Sequence, residues 1–140
     1  MGLDNGLMVR AKTIKGARFL EQNYANIKDD CFANSYEFGY WRKCWNIRHK
    51  VLNTFKNKGY DGMGGDLILN IADLVTFRDI MKYFLIEENW RNSDYGSIWS
   101  WEESISGIAK TIYWITQFLE DVEYEGLSDT DFEIYFYDSY

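Results

Sequence analysis

The side chains most able to do chemistry cluster in residues 37–50, EFGYWRKCWNIRHK. This stretch holds two of the six tryptophans, one of the two cysteines, the only histidine, two lysines and two arginines. One available chemistry is a thiolate nucleophile activated by an imidazole. Cys44 and His49 are five residues apart, about 140° round a helix beyond a full turn, so they cannot meet on one. Cys31 would have to reach His49 through the fold. The other chemistry is anion capture, with aromatic faces and positive charge supplied by Tyr40, Trp41, Arg42, Trp45 and His49. Trp41, Trp45 and His49 recur at four-residue steps and would line one helical edge. Arg42 and Lys43 fall in the first helical turn, where positive charge opposes the helix dipole unless an acid or a ligand anion holds it.

Other motifs carry less. GYDGMGG (59–65) has glycines but neither GxxxxGK[ST] nor a following base, so it is no phosphate loop. DTDFE (129–133) lacks the full calcium-loop pattern. Two cysteines thirteen residues apart, without CxxC and with one histidine, make neither a zinc site nor a disulfide framework. Asp4, Glu102 and Glu103 would form an acid cluster only if the fold gathered them. No catalytic constellation emerges. The expectation is a binding protein rather than an enzyme, with no metal and no cofactor.

The elements that must position these residues read out in order. GLMVRAK (6–12) alternates as a strand, and ARFLEQNY (17–24) fits a short helix. EFGYW (37–41) reads as a strand running into a helix whose apolar stripe is Cys44, Ile47, Arg48, Val51, Leu52 and Phe55. On alternation alone, Phe38 and Tyr40 share one strand face, and Gly39 and Trp41 the other. Trp41 is expected inside and Trp45 at the margin, with Arg42 and His49 accessible. Glycines at 59–65 stop the helix. DLILN (66–70) fits a strand. Asn70 with Asp73 caps a helix reaching about Glu88, followed by a loop at 90–96 and a short strand or turn at 97–101. Ser100 with Glu103 caps the third helix, striped by Ile105, Ile108, Ile112, Ile115, Leu119 and Val122 and ended by Gly126. FEIYFYDSY (132–140) closes as a strand with Phe132, Ile134 and Phe136 on one side. Strands and helices mix without βαβ spacing. That predicts one α+β domain over residues 1–140, a small, mostly antiparallel sheet packed against about three helices.

The chain has 140 residues, 19% of them aromatic, no proline and a net charge of −7. The charge is uneven. Residues 102–140 hold ten acids against one base, Lys110, for −9, and residues 1–101 hold twelve acids against fourteen bases, for +2. The C-terminal part is thus an acidic module on a nearly neutral body. Direct nucleic-acid binding is not expected, because phosphate neutralisation needs clustered bases. Glu120, Asp121, Glu123, Glu125, Asp129 and Asp131 would instead face a basic partner. No apolar run approaches the roughly 18 residues needed to cross a bilayer, and the N-terminus lacks a signal pattern. The expectation is a cytoplasmic protein with reduced thiols and no membrane contact.

MGLDNGL at the start, GYWRK with Trp45 and Ile47 in the middle, SIWSWEE with Trp114 and Ile115, and the closing FEIYFYDSY together resemble a family of small uncharacterised bacteriophage and prophage proteins. The resemblance covers about half the chain. This sequence departs from it with Asn5-Gly6 where Met-Tyr is usual and Cys44-Trp45 where Ala-Asn is usual. His49 also stands two residues after Ile47 rather than directly after it. The resemblance implies a phage accessory protein in the bacterial host. Its expected partner is a host protein, such as a nucleic-acid-binding defence factor of the CRISPR effector kind, inhibited through the acidic surface. The alternatives are a protein that binds or sequesters a nucleotide-like anion, and a structural phage accessory protein.

Overall fold

The computed structural model describes residues 3–30 and 34–139. Alternating apolar and polar residues build four strands: β1 (Asp4–Ala11), β2 (Ser35–Arg42), β3 (Gly65–Leu69) and β4 (Phe132–Ser139). They form one fully antiparallel sheet in the order β2-β1-β4-β3. Five α-helices accompany the sheet, besides two single 3-10 turns at Ala25–Ile27 and Lys56–Lys58: α1 (Ile14–Tyr24), α2 (Trp45–Thr54), α3 (Ile71–Phe84), the short α4 (Glu87–Arg91) and α5 (Trp101–Glu125). The helices bury Leu7, Val9, Ile134, Phe136, Leu67 and Leu69 of the sheet in one core. This is a small single-domain α+β fold. Residues 31–33 and 140, which include Cys31, and residues 1–2 lie outside the described residues.

A β-bulge decides how the 37–50 stretch is displayed. Leu7 pairs with Gly39, but the next residue, Met8, pairs with Glu37, so Phe38 has no partner. An extra residue in one strand switches which face its later side chains take. Phe38 and Trp41 therefore both point into the core, at 2% and 1% exposure, and Tyr40 points to the other face. Simple alternation had separated Phe38 from Trp41. Trp41 packs on Phe77 and Phe136, and Phe38 on Tyr24 and Phe118. At Gly39 a Cβ would come within 2.6 Å of both Thr111 Oγ1 and the Trp41 ring. Glycine there lets α5 settle directly on β2.

Local chemistry explains the helix ends. Asn70 with Asp73 and Ser100 with Glu103 form capping boxes at the starts of α3 and α5, satisfying donors that a helix start leaves open. Thr13 Oγ1 accepts from Gly16 N, so α1 begins earlier than the sequence pattern indicates. α3 stops at Phe84 instead of near Glu88, because Ile86 takes an extended conformation, and a separate helix α4 follows from Glu87 to Arg91, two residues into the expected loop. The short helix buries Trp90 edge-on against Phe84. Residues 97–101 form no strand. Ser97 makes a single bridge to Cys44, and Trp101 already belongs to α5. On α5 the buried stripe is Ser104, Ile108, Thr111, Ile115, Phe118 and Val122. Ile105, Ile112 and Leu119 fall at its half-buried edge, because α5 must face both β2 and α3.

Candidate functional site

The five aromatic and basic residues proposed from sequence do not converge. Trp41 is inside the core, and Trp45 is 40% exposed. Tyr40 and Arg42 lie on the sheet face away from the helices, where the Tyr40 hydroxyl donates to Asp4 Oδ1 at 2.9 Å. Arg42 Nε stands 3.9 Å from the same carboxylate, so an acid holds this base. Partial burial and then Asp4 push the Tyr40 hydroxyl up to about 12. His49 is exposed on α2 and stacks on Tyr95, with centroids 4.2 Å apart. The bulge and the left-handed turn at Lys43 (φ 55°) are what scatter the set. A single anion site built from all five is therefore ruled out.

Cys44 is fully buried. Burial pushes its thiol up, against the opposing effect of hydrogen bonds from Ser97 and Ser104. Its Sγ donates to Arg42 O at 3.4 Å and accepts from Ser97 Oγ at 3.3 Å. A buried thiol of raised pKa is a core residue, not a nucleophile. Among the described residues, no three His, Cys, Asp or Glu side chains gather as a metal site.

Sequence reasoning missed the ionic centre of the molecule. Arg48 of α2 clasps Asp138 of β4 through two nitrogens, Nε to Oδ1 and Nη2 to Oδ2, each at 2.8 Å. Tyr60 OH donates to Oδ2 at 2.7 Å and Asn5 Nδ2 to Oδ1 at 2.8 Å. Arg48 also donates to Gly62 O at 3.0 Å, and Gly64 N donates to the Tyr60 hydroxyl at 3.1 Å. The cluster ties β1, β4 and α2 to the glycine loop. Burial alone would raise the Asp138 carboxyl, but hydrogen bonds from Arg48, Tyr60 and Asn5 outweigh it and hold the group below its ordinary range. The signal was present in the sequence. Asp138 continues the inward Phe132, Ile134, Phe136 series, and Arg48 sits in the apolar stripe of α2. An acid and a base at core positions imply each other.

The acidic module divides in two. Asp121 accepts from Tyr24 OH and Gln117 Nε2, each at 3.0 Å. Asp131, only 9% exposed, accepts from Thr13 Oγ1 at 2.8 Å and Ser128 N at 3.0 Å. The Ser128 and Thr13 hydrogen bonds lower its pKa. Asp131 is a structural clamp and leaves the proposed partner surface, and Asp121 is half-buried and engaged. Glu120, Glu123, Glu125 and Asp129 are exposed. Asp129 also accepts from Ile71 N at 2.7 Å. Among the described residues none of these four forms an ion pair. Two of them, Glu123 and Glu125, lie in the last turn of α5, which has no base. Negative charge there opposes the helix dipole, at about 0.3–1 kcal/mol per charge. Beside them runs an apolar groove of about 530 Å³ between α3 and α5, lined by Ile71, Val75, Leu119, Val122 and Leu127 and edged by Glu123 and Asp129. Val75 is 43% exposed on its floor.

A separate polar pocket of about 350 Å³ opens at the other end of α3. One face of α2 (Asn46, His49, Lys50, Asn53) faces Tyr83 and Phe84 of α3 and the loop Asn92–Tyr95. Comparison with protein-family models, curated proteins and solved structures finds no match to this chain.

Proposed function

We propose that this chain is a binding protein whose acid-edged groove docks a basic, amphipathic segment of a partner protein. The observation that carries the reading is the coincidence of four exposed carboxylates, which form no ion pair among the described residues, with an apolar groove at the end of α5. Apolar side chains of the partner would fill the groove over Val75 and Leu119. Flanking lysines or arginines would meet Glu120, Glu123, Glu125 and Asp129, as in helix-in-groove recognition. The same acids that strain α5 would then be neutralised on binding, so the complex gains what the free protein lacks. Charge complementarity of this kind speeds encounter and selects against acidic partners.

The resemblance to phage and prophage proteins supplies the setting. The partner is a host protein with a basic surface that ordinarily holds nucleic acid, such as a CRISPR effector, and docking blocks that surface without chemistry. The test is competition. Wild-type chain, added at low salt to an effector loaded with labelled DNA, should release the DNA, and the Glu120→Lys/Glu123→Lys variant should not. Equal release by both, or by neither, would overturn the reading.

A further inference from the structure

The polar pocket against α2 has features that the protein-docking groove does not explain. Asn46 is 3% exposed, and its Oδ1 accepts from Ile47 N at 2.9 Å, so the amide orientation is fixed. Its Nδ2 donor has no partner among the described residues. A buried donor left unmade costs about 1–3 kcal/mol, and a small shift of the pocket wall that admits a ligand acceptor to it would recover that cost. Lys50 lines the same wall, with Nζ 4.5 Å from the centre of the Tyr83 ring. Among the described residues it forms no ion pair. The carboxamides of Asn53 and Asn92 add further donors at the mouth. The one acid in the lining is Asp94, on the exposed loop. The volume, about 350 Å³, lies in the range of small-molecule sites.

We infer that this pocket binds the oxyanion group of a small metabolite, a phosphate or a carboxylate, with Lys50 supplying the charge and Asn46 Nδ2 the buried hydrogen bond. Asp94 would repel a second negative group and so orient the rest of the ligand toward the Tyr83 side. The site includes His49 but none of Tyr40, Trp41, Arg42 or Trp45, and it is independent of the groove between α3 and α5.

His49 is the only histidine, so its ring C–H signals in NMR are unambiguous reporters on the pocket wall. Inorganic phosphate, AMP and citrate are titrated separately into the full chain. At least one should shift the His49 signals saturably below about 10 mM, a weak but specific affinity. Saturation by phosphate and AMP alike assigns a phosphate site, a clear preference for AMP adds contact with the nucleoside, and saturation by citrate alone assigns a carboxylate site. Lys50→Gln should weaken the effective probe about tenfold or more, and Lys110→Gln on α5 should leave it unchanged. The amide spectrum confirms that each variant is folded. Saturation by none of the three probes, or unchanged affinity in Lys50→Gln, would overturn the inference.

Discussion

Arg48 and Asp138, ninety residues apart in sequence, meet as a two-pronged ion pair, 2.8 Å at each prong, with the carboxylate fully enclosed. Removing one partner of such a pair leaves an uncompensated buried charge, which costs about 3–5 kcal/mol. Arg48→Leu should therefore lower the unfolding free energy by about 3 kcal/mol in urea titrations, given that Arg48 itself keeps some solvent contact. The loss should be smaller in an Arg48→Leu/Asp138→Leu double variant, which strands no charge.

The same pair sets an acid limit. Asp138 titrates below its ordinary value of 3.8 in the folded state. A depressed carboxyl contributes stability above the unfolded value, and that contribution fades as pH falls through the folded value. Stability followed by circular dichroism should fall as pH drops below about 4, and Asp138→Asn should flatten that part of the profile.

Trp41 fills the core between Phe77 and Phe136, whereas Arg42 beside it is outside. Trp41→Ala should destabilise by about 3–5 kcal/mol, and Arg42→Ala by less than about 1 kcal/mol. Denaturant midpoints in the reverse order would mean that the strand faces are assigned the wrong way round.

Gly39→Ala tests the contact of β2 with α5. The added methyl would press on Thr111 and on the Trp41 ring, both 2.6 Å away, and overpacking of this kind costs about 1–3 kcal/mol. Gly39→Ala/Thr111→Ser, which removes only a methyl from Thr111, should not restore stability, because the conflict is with Oγ1 and the indole. Recovery in calorimetry would place the crowding elsewhere.

Much of this architecture is legible in the sequence because it is written in local periodicity. The alternation of Leu7, Val9 and Ala11, the Ile108, Ile115, Val122 spacing and the two capping pairs each depend on residues a few positions apart. The bulge at Phe38 is different. It depends on how β2 registers against Met8 of another strand, and it alone brings Phe38 onto the core face that Trp41 shares. The Arg48–Asp138 pair is half-legible, as two charges in apolar series whose meeting only the fold reveals. The break at Ile86 has no proline or glycine to mark it, and Trp90 supplies the reason through tertiary burial. The surface acids were found by composition, but composition could not separate exposed Glu123 from enclosed Asp131.

If the exposed acids at the end of α5 serve a basic partner, reversing their charge must weaken binding without harming the fold. The most direct measurement is fluorescence anisotropy of a labelled amphipathic lysine–leucine helix titrated with wild type and with Glu120→Lys/Glu123→Lys at two salt concentrations, alongside the thermal stability of each free protein. The variant should be as stable as wild type or more so, since replacing Glu123 relieves the helix dipole by about 0.3–1 kcal/mol. It should also bind the peptide at least about tenfold more weakly, and wild-type affinity should fall as salt rises. Binding that ignores both the charge reversal and the salt would contradict this role for the acids.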